Sequence, residues 1–293
     1  KPLIGHLAIH HYSIGYGILT DEDYRQCMYI PDYITKLTNA ARASVVAGTN
    51  DALSEIKIAW DEWNTHAWDL EKKDDDRNYT LRNAVLTAGI LHSFIRSSDI
   101  VEIAGYSPFV NVCGAISVKK DRVLKRPQYY VFELLSKVFG ECTEYVETRL
   151  ECDTCSMPEV IDYSNRPAEA KFALNAKTTV RYVETGYLDC AASMNRERSR
   201  LALSLINKSE DRDYTVDVSV FGSSAVWKDA AGYELYHPDF DAANTAQDPE
   251  QVVIREAHPV SEEGKIYLKR HSLTVVVMNL LQGEESWTEK KQD

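Results

Sequence analysis

Asp61-Glu62-Trp63-Asn64 holds the residue types best suited to chemistry in this sequence. It follows residues 56–60, a β-branched and aromatic run that predicts a strand, so both carboxylates are expected at that strand's C-terminal end. In βα architectures that end is the ligand face. A carboxylate there, with Trp60, Trp63 and Trp68 nearby, suits attack on or stabilisation of an anomeric carbon, with rings stacking on sugar faces. Spacing alone equally allows a Glu62 that caps the next helix or pairs with a lysine. His10-His11-Tyr12 ends another expected strand, and alternation puts His10 and Tyr12 on one side with His11 on the other. A lone strand histidine is more often a packed core residue, so this signal gains weight only beside Glu62. A third strand brings Tyr106 and, past Ser107-Pro108, Asn111 to the same rim.

These residues need elements that hold them together. The first 140 residues alternate short β-like runs with long helical patterns, the mark of βα units and a parallel sheet. Residues 5–11, 56–60 and 100–106 predict the strands. Thr20-Asp21-Glu22-Asp23 predicts a capping box opening a helical region to about residue 48, interrupted at Pro31. Leu81, Val85, Leu86, Ile90, Leu91, Phe94 and Ile95 share one helical face, and residues 128–139 predict a further helix. Beyond residue 140 the pattern turns to short β-rich stretches at 178–183, 201–206, 214–221, 251–254 and 272–278, as in a β-sandwich or jelly roll. The expected division is 1–140, 141–282 and a polar tail at 283–293. Three parallel strands suit a barrel or a doubly wound sheet, but they cannot close an eight-stranded barrel and would leave strand edges bare. The chain is therefore expected to be cut from something longer or completed by another chain.

Composition sets the outer limits. With 293 residues, 44% of them apolar, the chain can bury one large core or two ordinary ones. A net charge of -12 repels phosphate, which argues against nucleic acid and anionic membrane and favours a neutral ligand. No run approaches the ~20 apolar residues that span a bilayer, and the first residues lack a signal-peptide layout. The location is left unknown, cytoplasmic being favoured only slightly over secretion, because the natural N-terminus is expected to be missing. Six cysteines are too sparse for a disulfide scaffold, and Cys152-Asp153-Thr154-Cys155 lacks the second half of a zinc site. Asp74-Asp75-Asp76 reads as a solvated loop. The sequence holds no GxSxG, GxGxxG, P-loop, HExxH or EF-hand motif.

Ile58-Ala59-Trp60-Asp61-Glu62-Trp63-Asn64 resembles the nucleophile segment of the glycoside hydrolase family 51 α-L-arabinofuranosidases, hydrophobic-Asp-Glu-Trp-Asn at the end of barrel strand seven. Ala8-Ile9-His10-His11-Tyr12 is similar to that family's strand six, and Tyr106 to Asn111 with Lys125-Arg126-Pro127-Gln128 to its strand eight and last barrel helix. Asn244-Thr245 and His271-Ser272-Leu273-Thr274-Val275 resemble its C-terminal sandwich. The resemblance implies α/β plus all-β architecture: strands six to eight of a (β/α)8 barrel in 1–140, then a β-sandwich. It implies a retaining enzyme that releases terminal α-L-arabinofuranosyl groups from arabinan or arabinoxylan, with Glu62 as nucleophile. His10, Tyr12, Trp63 and Trp68 would bind substrate; Asp61, Asn64, Tyr106 and Asn111 would support the site. No metal or cofactor is implied, and homo-oligomers of a full-length form are.

The family's acid/base is a Glu after an Asn, well over a hundred residues before the nucleophile, and no Asn-Glu pair precedes Glu62 here. Glu22 and Glu55 are poor substitutes, being expected at a helix start and before a strand. His66 stands where several members have Trp, and Pro108-Phe109 where some have Gln, which leaves the aglycone side open. Two other readings stand beside this one: a relative acting on β-xylosyl or β-glucan linkages, and a catalytically silent carbohydrate-binding fragment.

Overall fold

The computed structural model describes residues 4–14, 24–51, 54–66, 75–158, 182–220, 226–260 and 264–281. Its first half runs β1 (His6–Ile14), α1 (Tyr24–Thr49), β2 (Lys57–His66), α2 (Leu81–Arg96), β3 (Val101–Tyr106), a hairpin of β4 (Ile116–Lys119) and β5 (Arg122–Lys125), and α3 (Pro127–Phe139). β1, β2 and β3 form a parallel sheet in that order. The second half holds β6 (Glu144–Val146), β7 (Thr154–Pro158), β8 (Tyr182–Gly186), β9 (Leu188–Met194), β10 (Arg200–Asn207), β11 (Tyr214–Val216), β12 (Val226–Leu235), β13 (Ile254–Ala257), β14 (Ile266–Leu268) and β15 (Ser272–Leu281). Six of these make one antiparallel sheet, ordered β13-β12-β15-β10-β9-β6, and β7-β8 and β11-β14 pair separately. The fold is α/β followed by all-β, and its three parallel strands close no barrel.

The six-stranded sheet is covered on both faces, which its period-two pattern requires. Leu201, Leu203 and Leu205 of β10 pack with Val276, Met278 and Leu280 of β15 and with Ile266 and Leu268 of β14. Ala202, Ile206, Leu273 and Val275 face the other way, into the core built by the helices. Helix α2 is the hub of that core. It is buried almost all round, as a helix enclosed by other layers must be, between β2, α1, α3 and the antiparallel sheet. Its first-turn amides, which lack intrahelical acceptors, donate instead to the carbonyls of Ala242 (Leu81 N, 2.9 Å) and Phe240 (Arg82 N, 2.9 Å).

Several expectations are corrected. Helix α1 is not interrupted at Pro31 but runs through it. The Pro31 carbonyl accepts from Thr35 Oγ1 (3.1 Å) and from Ser93 Oγ of α2 (2.9 Å). Its ring fills the place of a side chain at Gly89, where a Cβ would come within 2.5 Å of it. Contact with α2 thus offsets the helix bond that proline cannot make. β2 extends to His66, so Asp61 to Asn64 lie inside the strand rather than beyond it, paired with β1 through His10, His11 and Tyr12. The stretch expected at 251–254 becomes a strand only from Ile254, and the one from Tyr214 ends at Val216. The expected helix start at 20–23, part of the strand at 178–183, Trp68 and the tail at 283–293 lie outside the described residues.

The helices meet the antiparallel sheet through a buried polar cluster. His92 is fully buried on α2; its Nδ1 lies 2.6 Å from Asp189 Oδ1 on β9 and its Nε2 2.7 Å from Ser204 Oγ on β10. Arg96 Nη1 donates to Asp189 Oδ1 (2.8 Å) and to the Cys190 carbonyl (2.8 Å), while its Nη2 reaches Asp189 Oδ2 (3.1 Å). Burial lowers the His92 pKa, and the hydrogen bonds and charges of His92 and Arg96 hold the Asp189 carboxyl far below the usual carboxylate range despite its own burial. Asp189→Asn, which leaves Arg96 without its counter-charge, is expected to cost about 3 kcal/mol in urea unfolding. Glu151→Gln, at the exposed Arg149 pair, should leave the midpoint unchanged.

Candidate functional site

The site begins with an irregularity in β2. Between Ala59 and Glu62 this strand has one residue more than β1 needs, since Ala8 pairs with Ala59 and His10 with Glu62. Against β3 the same excess recurs: Trp60 pairs with Ala104 and Trp63 with Tyr106. An extra residue breaks the alternation of side chains. Trp60 and Trp63 consequently both turn to the helical side, where each packs on Phe94 (5.5 and 5.4 Å between ring centres). Asp61 and Glu62 both remain on the opposite, open side, with nearly half of each side chain exposed. Gly105 makes room for the bulge, because a Cβ there would stand 2.7 Å from the Asp61 carbonyl oxygen.

Around the carboxylates stand the two β1 residues that alternation places together. Tyr12 Oη donates to Glu62 Oε2 at 2.9 Å. His10 lies between both acids, with Nε2 3.0 Å from Asp61 Oδ1 and Nδ1 3.7 Å from Glu62 Oε2. Asn64 is buried and sends Nδ2 to the carbonyls of Ser107 and Cys113, both at 3.1 Å, tying the end of β2 to the loop after β3. Ser107 N donates to the Trp63 carbonyl (3.0 Å) and adds a second tie. Burial pushes the nearby Cys113 thiol up to about 11, so it is a neutral packing group.

Other candidates fall elsewhere. Trp63, expected on substrate, is 1% exposed and enclosed by Phe94, Tyr106 and Phe132, because the bulge sends it to the core; it cannot stack on a sugar. Tyr106 sits in that same cluster, its hydroxyl beside Thr65 and its pKa raised by burial. Asn111 is exposed with φ of 57° and uses Oδ1 to accept from Val118 N (2.6 Å), so it shapes the loop from within. Trp68 lies outside the described residues. Asp76, expected in a solvated acidic loop, is buried and bonded to Arg126 and Arg122. Sequence reasoning passed over Arg126. Its signal was a cation at the first cap of α3, a position that favours acceptors and negative charge. All six cysteines are free, and no cluster of metal-ligating side chains occurs among the described residues.

The βα sheet carries Glu62 on its open face and is backed by an antiparallel sandwich, the arrangement expected of the C-terminal part of a glycoside hydrolase. Residues 61–272 match the model of the α-L-arabinofuranosidase C-terminal domain, and the chain belongs to that family. It is 29% identical over 160 residues to the probable α-L-arabinofuranosidase C of Aspergillus clavatus, covering 53% of this chain and 28% of that protein. It is 23% identical over 273 residues to the intracellular exo-α-(1→5)-L-arabinofuranosidase of Streptomyces lividans, covering 88% and 36%. The arabinose-complexed α-L-arabinofuranosidase of Thermotoga maritima superposes with a TM-score of 0.74 at 24% identity, covering 94% of this chain and 53% of that one. The chain thus spans well under half the length of these curated relatives.

His11 faces away from the acids, against Tyr33 at 5.4 Å, and burial lowers its pKa to about 4. Below pH 6.5 the unfolded chain takes up a proton there that the folded chain refuses. Stability should therefore fall as pH drops from about 6.5 to 4, by about 3 kcal/mol for this residue. His11→Phe should flatten that part of the pH profile of urea unfolding.

Proposed function

We propose that this chain supplies the nucleophile side of a retaining α-L-arabinofuranosidase acting on terminal arabinofuranosyl groups of arabinan-type or arabinoxylan-type substrates. The observation that carries the reading is Glu62, lifted by the bulge onto the open face and held by Tyr12 within a chain of this family. A Glu62 oxygen attacks the anomeric carbon as the glycosidic bond breaks. A general acid across the cleft protonates the leaving oxygen, and water later releases the sugar with net retention. Tyr12 and His10 orient the carboxylate through the two contacts described, and Asp61 holds His10. On this reading Asn64 fixes the strand end, and Tyr106 and Asn111 shape the rim from inside the fold.

The general acid is assigned to a part of the natural protein outside this chain, in accord with the greater length of its relatives. A retaining pair stands ~5–5.5 Å apart across the sugar. Asp61 is Glu62's neighbour along one strand and is engaged by His10, so it does not fill that place. Strands β1, β2 and β3 are on this view strands six to eight of a barrel completed by the missing part.

The test is the mass and activity of the purified natural protein. A mass above 33.2 kDa is expected, with hydrolysis of an aryl α-L-arabinofuranoside and an α-configured first product by NMR. Glu62→Gln should lower kcat on the order of 10⁴-fold. Full activity in that variant, or a β-configured first product, would sink the assignment. A 33.2 kDa protein that binds arabino-oligosaccharides without turnover would support the silent carbohydrate-binding reading instead.

A further inference from the structure

Beneath the rim lies a buried cation that this chemistry does not use. Arg126 stands at the start of α3 and is 1% exposed. Its Nε and Nη2 donate to Asp76 Oδ1 (3.1 and 2.9 Å), and its Nη1 donates to the carbonyls of Val112 (3.0 Å) and Gly114 (2.7 Å). The guanidinium lies 3.6 Å over the Tyr79 ring, and Tyr79 Oη donates to the same Val112 carbonyl at 2.9 Å. One side chain thus joins the turn after β2, the loop after β3 and the start of α3.

The loop it grips is strained. Asn111 and Val112 have φ of 57° and 47°, a region that a β-branched residue such as Val112 rarely enters, and one that persists where the surroundings over-determine it. The two donors on the Val112 carbonyl do so. Gly114 closes the loop where a Cβ would lie 2.5 Å from the Phe109 carbonyl oxygen. This same loop supplies the Ser107 and Cys113 carbonyls that hold Asn64, two residues beyond Glu62 on β2.

We propose that Arg126 is a positioning residue for Glu62: it fixes the loop after β3, and through Asn64 that loop fixes the strand end on which the carboxylate stands. The proposal rests on the reading of Glu62 as nucleophile. A planar fork that reaches a carboxylate on one side and two carbonyls on another cannot be replaced by an ammonium. Arg126→Lys therefore keeps the charge and loses the geometry. Arg122, which touches Asp76 but none of these loop carbonyls, is the control.

The experiment compares the natural full-length protein with its Arg126→Lys and Arg122→Lys variants, by kinetics on an aryl α-L-arabinofuranoside and by amide hydrogen exchange. For Arg126→Lys, kcat should fall about 10²-fold, the scale of a misplacement near 1 Å, with KM within about threefold. Exchange should quicken in residues 107–115 and also in 61–66, with 188–207 unchanged; Arg122→Lys should match wild type in all readouts. Faster exchange confined to 107–115 with wild-type kcat would overturn the proposal, as would uniform acceleration throughout the chain. A wild type without arabinofuranosidase activity would overturn the Glu62 reading instead, and the exchange pattern would still decide whether Arg126 and the end of β2 are coupled.

Discussion

One surplus residue in β2 governs the site. A parallel strand with covering helices must alternate, so strict pairing would send neighbouring residues to opposite faces and leave only one acid in the open. The excess at 60–62 is registered against both β1 and β3, and β3 offsets it with an extra residue of its own, Glu102, between the partners of Ile58 and Ala59. Two indoles therefore enter the core while two carboxylates share the open face. Gly105 is the condition for this, since the bulged Asp61 carbonyl occupies the space of its missing side chain. Position and chemistry are set by one local event.

The bulge is stable because what surrounds it is rigid. Trp60 is locked by its Nε1 bond to Thr38 of α1 (3.1 Å), and Trp63 by three aromatic neighbours. Behind both rings stands Phe94 on α2, whose other sides bear on α1, α3 and the antiparallel sheet. A load on the acids is thus passed to the sandwich through close-packed side chains, which tolerate little displacement.

The order of βα units and the shared side of His10 and Tyr12 were legible in the sequence because each rests on period and order alone, whereas the strand ends were not: β1 and β2 run on to Ile14 and His66. Nor was the surplus residue, since a count of alternating residues gives no position for an insertion without the neighbouring strands. That is why Trp63 read as a sugar platform. Asp76 read as solvated because its partners, Arg122 and Arg126, are nearly fifty residues away or more. Pro31 read as a break because Gly89, which receives it, lies on another helix. Strand β9 escaped notice because Asp189, Cys190 and its alanines carry little strand preference of their own; its place between β10 and β6 makes it a strand.

The buried cluster of His92, Arg96 and Asp189 bears on inheritance. Its members come from a helix of the βα segment and a strand of the sandwich, and the amides opening that helix rest on carbonyls of Phe240 and Ala242. A recombination breakpoint between the two halves would strand an arginine or an aspartate in a dry interface. Exchange of either half alone would leave that buried charge unpaired, so the seam opposes shuffling of one half without the other.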